Sequence, residues 1–319
     1  LNFRANPAVL LVVAAAVWTG PLCAQTPTDS WERLPPVMSH EEELLRLEAD
    51  AARIIALEEG ALGSSDCVSE TAASVAWLAP GGANGFGTAD FDVNRTWLWQ
   101  PRATTAPVTI APGIGLHLWD GPATLDLPPR VYDVYLDLAW RFLEHERWGV
   151  AGGLTPGFYG DFVRFDGDAF QLTGWVLGDW AVSDQWTLVG GLAYVRQLQS
   201  HLLPIGGAIW RPSSDLRVDL IFPRPRVTWR WFEAPGQDVW LYVAGVFGGG
   251  AWSVDDGAGS SVLVQYSDLR LSLGAEVAQF GGKVTTFEAG YAFSRDISVN
   301  SNSVATPDST FFVQAMLAW

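Results

Sequence analysis

The chain has 319 residues, of which 17% are charged and 49% hydrophobic, with 17 Trp, 16 Phe, 33 Gly and a formal net charge of -16. A soluble domain carries about 25% charged residues, so this surface is adapted to something less polar than water. The acidic balance excludes a nucleic-acid partner, because a phosphate backbone needs a basic face.

Residues 1–24 carry one positive charge at Arg4, an apolar run over 8–18 and a small residue, Ala24, before Gln25. That pattern predicts a secretory signal peptide. The run is too short for an anchor across a hydrocarbon core of about 30 Å. Cleavage removes Cys23 and leaves Cys67 alone, which excludes an intramolecular disulfide. No cysteine spacing suggests a metal or redox site, and no cofactor is expected.

Residues 25–69 read as a periplasmic linker and one amphipathic helix. Ser39 and Glu42 make a capping box, and Leu44, Leu47, Ala51 and Ile54 recur at helical spacing until about Gly60. The helix is expected beside the main domain, with a short coiled coil or a plug as alternatives.

Residues 70–319 predict the main domain. Segments of about ten residues alternate in polarity between clusters of Gly, Pro, Asn, Asp and Ser. In VYDVYLDLAWRF one face is Tyr132, Val134, Leu136, Leu138, Trp140 and Phe142, and the other is Asp133, Tyr135, Asp137, Ala139 and Arg141. DLRLSLGAEV sets Leu269, Leu271 and Leu273 against Asp268, Arg270 and Glu276, and TTFEAGYAF sets Phe287 and Tyr291 against Glu288. A soluble sandwich also alternates. The tryptophans decide for a membrane: Trp97, Trp99, Trp140, Trp180, Trp229, Trp231 and Trp319 fall near segment ends on the apolar face, as interfacial girdles do.

The fold class expected is therefore all-β, a transmembrane antiparallel up-and-down barrel in the outer membrane. Fourteen strands are read, from 72–79 to 310–319, with twelve as the alternative. Tight links near His145, Asp184, Ser213, Gly236 and Gly281 alternate with longer loops over 120–130, 160–168, 255–260 and 296–309. Arg95 falls on the outward face, where a charge costs about 2–4 kcal/mol at mid-membrane, so a bulge or another register is expected there. The final segment, TFFVQAMLAW, places Phe311, Val313, Leu317 and Trp319 on one face, the pattern of an insertion signal read by barrel-assembly machinery. Outer-membrane lipids and lipopolysaccharide are the surroundings expected.

The interior is expected to hold Asp133, Asp137, Arg141, His117, Arg217, Asp219, Arg230, Asp268, Arg270, Glu276 and Glu288. Parity alone places eight acids inward, counting Asp92 and Asp179, against Arg141, Arg217, Arg230 and Arg270, so an open pore would prefer cations weakly. His117 with Asp133, Asp137 and Arg141 is the best candidate for a general base, yet no nucleophilic serine stands at a recognisable spacing, and no catalysis is expected. The block DLRVDLIFPRPRVTWR carries Arg217, Arg224, Arg226 and Arg230, with Arg211 upstream. It reads as charge pairing with Asp219, Asp268 and Glu276, or as an anion-gripping constriction. Asp255 and Asp256 sit in a Gly-rich loop with a weak calcium-site pattern.

The stretches PGIGLHLWDGP, DLPPRVYDVYLDLAW and LLPIGGAIWRPSSDLRVDLIFPRPRV, with the final strands, resemble an uncharacterised family of bacterial outer-membrane β-barrel proteins, a domain of unknown function. The resemblance implies an outer-membrane barrel over about residues 70–319 and no catalytic residue. Two functions remain: a passive porin-like channel, for small or hydrophobic solutes, and a plugged structural or surface-binding barrel.

Overall fold

A computed structural model describes residues 69–82, 84–99, 108–122, 125–164, 167–195, 202–279 and 282–319. The expected signal peptide, the helix over 39–60 and Cys67 lie outside these residues.

Among the described residues the chain forms β1 (Ser69–Leu78), β2 (Gly87–Trp99), β3 (Val108–Asp120), β4 (Arg130–His145), β5 (Trp148–Gly160), β6 (Phe170–Ser183), β7 (Trp186–Tyr194), β8 (Leu202–Ser213), β9 (Leu216–Phe222), β10 (Arg226–Ala234), β11 (Gln237–Asp255), β12 (Ser261–Gln279), β13 (Val284–Val299), β14 (Asn302–Ala305) and β15 (Thr310–Ala318). Neighbours pair antiparallel in chain order, except that β13 passes to β15 and β14 is a short excursion on the tip of β13. Fourteen strands therefore close the ring. Closure runs between β15 and β1, where Thr71 and Trp319 exchange backbone bonds of 2.8 and 2.9 Å. A closed ring leaves no edge, which is what a bilayer requires of every backbone polar group.

Parity decides the two faces. Along β12, Leu269, Leu271 and Leu273 are open while Asp268, Arg270, Ser272 and Glu276 are buried. Leu273 is 64% exposed and Phe311 is 69% exposed. A ring of such residues would not persist in water, so the outer face meets lipid. The short links 146–147, 184–185, 214–215 and 235–236 share one end of the barrel, and 121–129, 161–169 and 256–260 share the other. In this architecture the short-turn end faces the periplasm.

The seven expected girdle tryptophans all lie toward the turn end, where Trp148 pairs with Trp180 and Trp186 stacks on Trp210 at 5.6 Å. The loop-end girdle carries Phe and Tyr beside Trp77: Phe158 meets Phe170 at 5.4 Å and Tyr291 meets Phe311 at 5.0 Å. Arg95 corrects one expectation. No bulge removes it from the outward face; it pairs with Thr71 at the level of Trp319. There its guanidinium lies 5.6 Å from the Trp97 ring and donates to Ser69 Oγ at 3.3 Å. The charge has reached the interface, where its cost falls to about 0–1 kcal/mol.

Inside, large side chains lie flat across glycines of the neighbouring strand. A Cβ added to Gly113 would stand 2.1 Å from the Tyr135 ring, and one added to Gly274 would stand 2.0 Å from the Tyr242 ring. Such pairing brings rings against the wall and packs it closely.

The ring is pinched at the loop end. Ser253 of β11 pairs in parallel with Gly160 of β5, and Asp161 N donates to Ser253 O at 3.2 Å. These strands are not neighbours in the ring, so the contact crosses the lumen and divides the loop end into two lobes. The large lobe, bounded by β11–β13, β15 and β1–β5, holds a core that includes Leu78, Phe86, Trp119, Tyr159, Trp252 and Tyr266. The small lobe, bounded by β5–β11, is capped by Trp175, Leu177, Val195, Leu203 and Ile205, with Phe247 packed on them.

Candidate functional site: the barrel interior

Three groups of polar residues lie inside. The first centres on His117, which is fully buried on β3. Its Nδ1 stands 2.8 Å from Asp90 Oδ1 and its Nε2 2.8 Å from Asp133 Oδ2. A carboxylate accepts and does not donate, so both contacts are hydrogen bonds only when each ring nitrogen carries a proton. Asp90 also accepts from Thr88 Oγ1 at 2.7 Å, and Asp133 accepts from Trp252 Nε1 at 2.8 Å. The Trp252 ring lies 5.2 Å from both His117 and Trp119. Strands β2, β3, β4 and β11 thus meet at one imidazole.

This corrects the expected cluster. Asp137 and Arg141 do not join His117: both face inward lower on β4, and Arg141 pairs with Asp179 of β6 at 3.0 Å. The reason is distance along the strand, since Asp137 is level with Ala111 and Asp133 with Gly115. Asp90, directly opposite His117 in the ladder, takes the second nitrogen.

The second group closes the top of the large lobe. Arg295 donates to Tyr266 Oη at 2.9 Å, to the Asp308 carbonyl at 2.7 Å and to the Phe86 carbonyl. Tyr266 donates to Asp268 at 2.6 Å, and Asp268 pairs with Arg270 at 3.0 Å. Arg295 lies within β13, which runs on to Val299, past the loop start expected at residue 296.

The third group lines the turn-side half, and here the arginine block divides. Arg217 pairs with Asp219 at 2.9 Å, and Arg226 with Glu276 at 3.2 Å while lying 3.8 Å from the Tyr242 ring centre. Tyr242 donates to Glu288 at 2.6 Å. Arg230 reaches the rim, where it pairs with Asp215 and Glu233. Structure therefore adds Asp90 to the inward acids and Arg226 and Arg295 to the inward bases. Along this wall Asp179, Thr187, Val189, Gly207, Asp219 and Thr228 face inward and remain half-buried, with Ile209 and Arg226 buried among them.

Outside the membrane, Asp255 pairs with Arg164 at 3.1 Å. Asp256 accepts from the backbone N–H groups of Ser260 and Ala258, which hold its carboxyl below the usual carboxylate range. Among the described residues no group of three His, Cys, Asp or Glu side chains stands together as a metal site. Phe311, Val313, Leu317 and Trp319 are exposed on the lipid face.

No family model matches the chain, and no curated protein matches it. Among solved structures, similarity is found to a bacterial polysaccharide outer membrane secretin (10% identity, TM-score 0.39, covering 79% of this chain and 98% of that one). The NanC porin gives 7% identity and a TM-score of 0.38, covering 78% and 98%, and LpxR from Salmonella typhimurium gives 8% and 0.37, covering 78% and 99%. At these scores the likeness carries no argument. The class rests on the molecule itself: a closed fourteen-stranded barrel with an apolar outer belt, aromatic girdles and a polar interior is a transmembrane barrel of the outer membrane.

Proposed function

We propose that the protein is a passive porin-like channel for small solutes, occluded at its loop end in the conformation described. The observation that supports it is the half-buried inward wall of β6–β10. Small or charged residues there (Thr187, Val189, Gly207, Asp219) leave room for water against a membrane-spanning wall. The two apolar clusters above narrow or shut that space. Membership of the uncharacterised outer-membrane family belongs to the same proposal, as do lipopolysaccharide contact at the belt and recognition of the last strand by assembly machinery.

Catalysis is no part of this reading. His117 is enclosed and both its nitrogens are engaged, so it lacks the access a general base needs. The test is a planar-bilayer recording of the refolded protein. Brief, small conductance steps are expected, and their frequency should rise when Phe247 is cut to Ala. A barrel silent in both forms would support the second reading, a plugged structural barrel, which the same clusters favour.

A further inference from the structure

We propose that the loop-side ends of β11, β12 and β13 form one flap, hinged across all three strands, that folds over the barrel mouth and is latched by Trp252. The inference rests on the channel reading and names its gate.

The hinge is a line of backbone irregularities at one level. On β11, Gly249 has φ of +126°, a conformation that L side chains avoid, and its added Cβ would lie 2.0 Å from the Tyr266 carbonyl. Gly249 is paired with Ser267 of β12, and the β12–β13 ladder shifts register between Ser267 and Leu269. Across that shift β13 carries Ser294 at φ of 51°. Three adjacent strands thus bend together, which fixes an axis.

Just before that axis β11 loses its earlier neighbour. Ladder pairing between β10 and β11 ends at Arg226 and Ala244, followed by one last bond from Gly245 N to Pro225 O at 2.9 Å. Above it β11 leaves its neighbour and reaches β5. Ala251, Trp252, Ser253 and Val254 are all buried, so alternation is lost because both faces are covered. A single ladder pair, Ser253 with Gly160, joins the flap to β5, beside Asp161 N to Ser253 O at 3.2 Å, Asp255 N to Asp161 at 2.8 Å, Gln171 to Ala251 O at 2.8 Å and the exposed Arg164–Asp255 pair, while on β13 Arg295 reaches the Phe86 and Asp308 carbonyls. Within the flap, β11 and β12 stay paired out to Asp255 and Ser261. The flap is held inside by a continuous ladder and outside by side-chain contacts and one ladder pair.

Its latch is Trp252, which fits between Trp119 and His117 and donates to Asp133. Phe247, on the base side of the hinge, packs on the small-lobe cap, so the root of the flap is anchored in one cluster and its tip in the other. Burial of these rings makes the closed state dominant and the open state a minor one.

The test places spin labels at Val163→Cys and Ala258→Cys, both exposed, in a background lacking Cys23 and Cys67, and measures their separation in the refolded barrel. One short distance is expected in the parent. Trp252→Ala should raise the fraction at a longer distance by more than about a hundredfold. Trp252→Phe keeps the ring, drops the bond to Asp133, and should raise it about tenfold. A single short distance in both variants would overturn the flap. Bilayer recordings on the same proteins separate the two claims: labels that move without conductance sink the channel reading and leave the flap standing.

Discussion

Two ion pairs, one in each lobe, show what the pinch does. Arg270 and Asp268 in the large lobe have side chains 3% and 0% exposed, whereas Arg217 and Asp219 on the small-lobe wall are 20% and 13% exposed. Both pairs join an arginine to an aspartate two residues away on one strand, at 3.0 and 2.9 Å. What differs is the surroundings. The Arg270 pair is roofed by the aromatic core that the flap completes, and the Arg217 pair borders a space water can enter. A charge pair without water is a structural commitment, while one beside water is a wall lining. The same residue chemistry therefore serves two lobes of one barrel differently.

Breaking the pairs sharpens the contrast most. Arg270→Ala leaves the Asp268 carboxylate buried without its counter-charge, with Tyr266 still donating to it, and should cost about 3–5 kcal/mol, read as a lowered urea midpoint in lipid vesicles. Arg217→Ala should cost about 1 kcal/mol or less by the same measurement. Equal losses would erase the distinction between the lobes. Trp252→Phe comes next, with about 1.5–3 kcal/mol from the lost bond to Asp133. Val189→Trp, on the half-buried wall, should leave the midpoint within about 1 kcal/mol and reduce any conductance, because a ring there fills space instead of displacing packed atoms. Asp256→Ala should be the mildest. Its carboxyl is held below the ordinary range by Ser260 and Ala258 N–H groups, so the loop order it provides is full above the usual carboxylate pKa and lost as pH falls through the lowered value. Amide exchange at residues 258 and 260 should quicken on that acid side in the parent and at all pH in the variant.

Much of this was legible in the sequence, and the reason is the period of two. Parity placed Asp268, Arg270, Glu276 and Glu288 inside and Leu269, Phe287 and Phe311 outside, because in a barrel every side chain has only two directions. Alternating segments set the strand count, and loop spacing showed which links share an end. Asp90 was within reach of the same argument, since it alternates with Asp92 at the start of β2 and faces His117 in the ladder. Trp252 was not. Past Gly249 the strand crosses the lumen, both its faces are covered, and its partner Asp133 lies on a strand that does not adjoin it in the ring. Parity speaks of walls and says nothing of contacts across them. Arg95 was placed on the correct face, but its depth depends on the stagger of β1 against β2, which period alone does not fix.

The central claim is that the small lobe holds water along a wall whose large-lobe counterpart is dry. Single cysteines at Val189 and Ser272, both inward-facing, in a background lacking Cys23 and Cys67, test it through their reaction with a membrane-impermeant thiol reagent in refolded vesicles. Rapid modification of Val189→Cys with Ser272→Cys left unmodified is the predicted result. Comparable rates at the two positions, fast or slow, would contradict it.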